Sequence, residues 1–128
     1  MKVFDVAVVG LGAMGSTAVW HLARRGQRVV GLDRFALGHE RGSSHGATRI
    51  IRLGYFEHPA YVPLVRRAYK LWDELEAATG SRLLEVTGIA EIGPPDGGLV
   101  SGTLAAAQAH DLPHKVLAAA DLMRRLAA

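Results

Sequence analysis

The chain of 128 residues has no cysteine, few aromatic side chains (6%) and a formal net charge of only +3. Each shortage closes off a class of chemistry. Without thiols there can be no disulfide, no zinc–thiolate site and no cysteine nucleophile, and a reducing cytoplasm is the expected location. No apolar run approaches the roughly 18 residues of a membrane span. The run from Lys2 to Val9 is interrupted by Asp5, so it reads as a buried first strand and not as a leader. Basic residues come in separated pairs such as Arg24-Arg25 and Arg66-Arg67, unlike the one-sided basic surface of a nucleic-acid binder. Neither nucleic acid nor membrane is therefore an expected partner. His21, His39, His58, His110 and His114 lack metal-ligand spacing and read as structural, so no metal site is expected.

What the chain does contain is glycine, placed at informative positions. Val6 to Val9 lead into Gly10-Leu11-Gly12-Ala13-Met14-Gly15, and the next apolar run, Arg28 to Asp33, ends in an acid. A strand, a GxGxxG turn, a helix and a second strand closed by a carboxylate are the ordered parts of a dinucleotide site. Gly10 permits the tight turn, Gly12 lets backbone approach a pyrophosphate, and Gly15 lets helix and strand pack closely. The helix beginning at Ala13 and Met14 points unpaired N–H groups at phosphate, and Asp33 can accept ribose hydroxyls. Arg34 lies beside Asp33 on the cofactor side. It would suit a 2′-phosphate, but the Asp33 carboxylate would repel that group, so Arg34 reads as a solvated charge. The fingerprint leaves NAD, NADP and FAD open, with NADP the least suited.

Helical spacing continues from Ala13 to Arg25, ended by Gly26. Residues 35–46 read as a loop. Pro59 marks the start of a long helix whose stripe of Leu64, Val65, Ala68, Leu71, Trp72 and Leu75 runs to Thr79-Gly80. Lys70 and Glu74 have ion-pair spacing, and Asp73, Glu74 and Glu76 form a solvated face. Leu83 to Ile92 is expected as one strand or two, followed by a turn at Gly93 to Gly98. A helix from Leu99 to His110, a short strand at Lys115 to Leu117 and a last helix capped by Asp121 complete the pattern. Trp20 and Trp72 read as core or interface packing. The fold class is α/β: an N-terminal Rossmann-type βαβ unit, then the start of a mixed α+β domain. With few parallel strands readable, the whole is expected to be an incomplete fold, the front part of a larger one.

A second constellation follows: Gly42-Ser43-Ser44-His45-Gly46-Ala47-Thr48-Arg49-Ile50-Ile51-Arg52. Small residues allow backbone to pass close to a cofactor. Arg49 and Arg52, three apart, would share one side of a helical turn and suit an anionic substrate or a reduced flavin. Here the chain resembles the N-terminal part of the monomeric sarcosine oxidase and N-methyltryptophan oxidase family, FAD-dependent flavoproteins of the D-amino-acid-oxidase-like superfamily. DVAVVGLGAMGSTAVWHLARRG, the Asp33 strand end, GSSHGATRIIR, YVPLVRRAYKLWDELE and the TGIAEIGPPDG hairpin carry the resemblance.

The resemblance implies that Gly10, Gly12, Gly15 and Asp33 hold the ADP half of FAD. It places Ser43, Ser44, His45 and Thr48 along the approach to the flavin, Arg49 beside the ring, and Arg52 on a substrate carboxylate; His45, Arg49 and Arg52 form the catalytic group. Ser44 stands where some members have histidine, and Ala47 where they have an acid. The implied reaction oxidises a secondary amine or N-methyl amino acid to an imine, with dioxygen reduced to hydrogen peroxide. Residues 1–80 would be the FAD-binding portion and 81–128 the beginning of the substrate domain. Members attach FAD through a downstream cysteine, which this chain lacks, so covalent attachment through it is not expected, nor is oxidase activity from these residues alone. Two alternatives stay open: a nicotinamide-dependent β-hydroxyacid-type dehydrogenase, which lacks the GSSHGATRIIR segment, and a non-catalytic nucleotide-binding module.

Overall fold

A computed structural model describes residues 3–127, and Lys2 and Ala128, at the ends of the expected first strand and last domain, lie outside the described residues. Among the described residues the fold is α/β, with a small parallel sheet and four helices. Two compact units divide between Arg49 and Ile50.

In the first unit, strand β1 (Val6–Val9) leads through helix α1 (Ala13–Arg24) to strand β2 (Val29–Leu32). The strands pair in parallel, Val6 opposite Val29 and Val9 opposite Leu32. Parallel pairing requires a crossover, and α1 supplies it. The helix closes where the Arg25 and Gly26 amides turn back to Leu22 and Ala23 carbonyls. Beside the strand starts, Asp5 accepts from Arg28 Nε at 3.0 Å and from the Arg28 amide at 2.8 Å. The first strand reads in the sequence as buried, yet Val9 is 84% exposed. Burial on both faces needs helices on both sides and further strands. This unit has one helix and two strands among its described residues, so its outer edges carry unpaired peptide groups.

The second unit holds helices α2 (Tyr61–Thr79), α3 (Gly98–Ala109) and α4 (Ala119–Leu126). Its core is Val62, Ala106, Ala107 and Leu112, with Leu53 packed against them. The long helix begins two residues after Pro59, with Ala60 at its N-cap, and ends on left-handed Gly80 as its composition implies. The buried face is centred on Val62 and Val65, while Leu64 and Trp72 are exposed. Trp20, in the first unit, is exposed as well, so neither tryptophan forms core. Glu74 pairs with Arg67 at 3.0 Å. Glu76 accepts the Leu83 and Leu84 amides instead of facing solvent.

Neither Leu83–Ile92 nor Lys115–Leu117 forms a strand, and TGIAEIGPPDG forms no hairpin. A strand is defined by its ladder, and these segments have no neighbouring strand to complete one. The expected turn is present, with Gly97 N–H donating to the Pro94 carbonyl at 2.9 Å. Asp121 lies inside the first turn of α4 and pairs with Arg124, and Ala118 occupies the N-cap.

Candidate functional site

The glycine turn of the first unit builds the floor of a site. Gly10 N–H donates to the Leu32 carbonyl at 2.7 Å, and its φ of +90° is reached cheaply only by glycine. A Cβ on Gly15 would lie 1.8 Å from the Gly10 carbonyl oxygen, so the first turn of α1 rests directly on the loop before it. Above Gly12 the space is open, the nearest atom to a Cβ there being Ser44 Oγ at 4.0 Å. The Ala13 amide donates to the same Ser44 hydroxyl at 3.3 Å. Met14 is exposed, and the opening turn of the helix presents N–H groups that have no acceptor within the helix.

Asp33 stands at the end of β2, with its side chain only 13% exposed. Its Oδ2 accepts the Leu11 amide at 2.6 Å and its Oδ1 accepts the Phe35 amide at 3.0 Å. Those two N–H groups hold its carboxyl below the usual carboxylate range, against the opposing effect of burial. His39 Nε2 lies 3.3 Å from Oδ1. Turn, helix start and the following loop enclose a cavity of about 300 Å³ lined by Leu11, Ala13, Asp33, His39, Ser44 and His45 among others. Open backbone over Gly12, helix-start N–H groups without an acceptor inside the helix and a carboxylate with spare lone pairs would suit a pyrophosphate and a ribose. Arg34 does not face this cavity's lining; its guanidinium lies over the Phe35 ring at 5.5 Å.

The GSSHGATRIIR segment has no helix, so three-residue spacing does not stack Arg49 and Arg52 on a helical face. Ser44 and His45 line the cavity, whereas Ser43, Thr48 and Arg49 do not. His45 is 4.0 Å from Glu40. Arg49 folds onto its own loop, donating to the Thr48 carbonyl at 2.7 Å.

In the second unit, Arg52 is 28% exposed and lies against the Tyr55 and Phe56 rings, 4.9 and 5.5 Å from their centroids. Its guanidinium faces Glu57 at 3.4 Å and Glu91 at 3.8 Å. Glu91 is 10% exposed and accepts the Thr103 hydroxyl. Arg52 Nε and Glu91 Oε1 are buried without a hydrogen-bond partner. Sequence reasoning missed His39, set aside for lack of metal spacing, and Glu91, placed in an expected strand. Neither carries a local signal, because both partners are brought in by the fold.

The FAD-dependent oxidoreductase family matches residues 5–128. Among known proteins, the chain is 50% identical over 122 residues to a monomeric sarcosine oxidase of Streptomyces avermitilis, covering 95% of this chain and 32% of that protein. It is 43% identical over 125 residues to a Bacillus monomeric sarcosine oxidase, covering 97% and 32%. It is also 40% identical over 114 residues to an N-methyl-L-tryptophan oxidase of Yersinia pestis, covering 89% and 31%. The chain thus spans about a third of the length of these relatives. A match over nearly its whole length places the chain in the FAD-dependent oxidoreductase family, with FAD as the cofactor that membership assigns.

Proposed function

We propose that this chain supplies the adenosine and pyrophosphate part of the FAD site in an oxidase of small secondary amines or N-methyl amino acids. The carrying observation is Asp33, whose Oδ2 accepts the Leu11 amide at 2.6 Å across the glycine turn. That contact holds an anionic acceptor beside Leu11, two residues before the helix that would receive the phosphates, which supports the Rossmann-type reading. The names of the relatives support the substrate class. Bound FAD would supply a two-electron acceptor for the C–H bond beside the amine nitrogen.

The chain's own residues bind and orient. Gly10, Gly12 and Gly15 bring backbone to the pyrophosphate, the Met14 amide donates to it, the Ala13 amide does so on leaving the Ser44 hydroxyl, and Asp33 accepts from ribose. Arg34, turned onto the Phe35 ring, takes no part in this half. Ser43, Ser44 and Thr48 supply small hydroxyl groups along the approach to the flavin. In the first unit, His45 and Arg49 would serve the flavin side; in the second, the Arg52 guanidinium is suited to a bidentate contact with a substrate carboxylate. That contact must compete with Glu57 and Glu91, which already face Arg52. Residues 1–80 then serve the cofactor and 81–128 begin the substrate side.

Quenching of FAD fluorescence on titration with the chain tests the reading. We expect saturable binding of FAD and at least about tenfold weaker binding of NADH, the equivalent of about 1.4 kcal/mol. Absence of FAD binding, or tighter binding of NADH, overturns it.

A further inference from the structure

His39 occupies a position that its sequence context does not announce. The Arg41 amide donates to His39 Nδ1 at 3.0 Å, so that nitrogen carries a lone pair and the ring proton resides on Nε2. Nε2 in turn faces Asp33 Oδ1 at 3.3 Å. The ring meets Phe35 edge-on, with centroids 5.0 Å apart, and the Arg41 guanidinium lies over that same Phe35 ring at 4.8 Å. One loop thus fixes the imidazole by a hydrogen bond, an aromatic contact and its neighbour's stacking.

A carboxylate offers about four acceptor positions. On Asp33, Oδ1 receives Phe35 N–H and faces the His39 donor, and Oδ2 receives only Leu11 N–H. The remaining position is on Oδ2, beside the glycine turn. We propose that His39 is a positioning residue of the cofactor site: by occupying Oδ1 it sets the carboxylate rotation and leaves Oδ2 as the acceptor for a ribose hydroxyl of the adenosine half. The inference rests on the proposed FAD reading and extends it to how the ribose is selected.

Calorimetric titration of the 128-residue chain with ADP and with 2′,3′-dideoxy-ADP tests it, with FAD binding measured in parallel. Hydrogen bonds to charged groups lead us to expect wild type to prefer ADP by about tenfold. His39→Asn keeps an acceptor for the Arg41 amide but loses the donor toward Asp33, and its preference should fall to about twofold. His39→Gln keeps a donor near the Nε2 position, and its preference should stay within about twofold of wild type. Circular dichroism checks that helicity is retained. Should the Asn variant lose it, His39→Met, which fills the space without a donor, carries the same expectation.

A wild-type preference retained in the variants without a donor toward Asp33 overturns the role of His39 while leaving the FAD reading intact. Equal loss in the Asn and Gln variants also overturns it, since that marks a loop-shaping role alone. A wild-type chain that binds FAD yet ignores the ribose hydroxyls overturns it too. If wild type binds neither FAD nor ADP, the cofactor reading itself falls.

Discussion

Asp33 links the strand end, the glycine turn and the loop that follows, so its protonation state should govern both folding and cofactor affinity. Leu11 and Phe35 N–H groups hold its carboxyl below its ordinary value of 3.8. Asp5 is lowered by the Arg28 side chain and backbone, and Glu76 by the Leu84 and Leu83 amides. A depressed folded-state value stabilises fully above the unfolded value and loses that stabilisation as pH falls through the folded one. Melting temperature and FAD affinity should therefore hold steady from neutrality to about pH 5 and decline below about pH 4. Asp33→Asn should weaken FAD binding at neutral pH by about tenfold or more, because a charged acceptor is lost. It should also flatten the acid decline in affinity. Calorimetry across pH checks both, and an unchanged profile in the variant would contradict this account.

At the scale of the element, α1 shows local preference and packing in opposition. Alanine in place of Gly15 would raise intrinsic helix stability by about 1 kcal/mol. Its Cβ would nevertheless fall 1.8 Å from a backbone oxygen, which no side-chain rotation relieves. Gly15→Ala should retain helical circular dichroism yet lower FAD affinity by more than about tenfold, as the helix start is pushed off the turn. The same contrast explains what could be read in advance. The βαβ order, the turn at Gly10 to Gly15 and the ends of α1 and α2 at Gly26 and Gly80 depend on neighbours in sequence. Asp33 was readable because its spacing from the turn is set by one helix. Leu83–Ile92 was misread, since alternating apolar residues make a strand only beside another strand. The Asp33–His39 and Arg52–Glu91 pairs were invisible because loops, which have no period, bring them together.

At the scale of the whole molecule, little of the apolar content is buried. Among the described residues the buried hydrophobics are Val62, Val65, Ala106, Ala107 and Leu112, all in the second unit. Val62 is fully buried at the centre of that cluster. Val62→Ala removes two methyl groups and should cost about 1.5–2.5 kcal/mol, a large share of what so small a core provides. Thermal unfolding followed at the helical band should broaden and shift down, while a Leu64→Ala control at an exposed site changes little. The outer edges of the β1–β2 pair bear on handling as well as folding. Each presents peptide donors and acceptors along a short apolar strand, so a neighbouring chain in concentrated solution can dock there by backbone pairing. Colloidal lifetime is then expected to shorten as protein concentration rises.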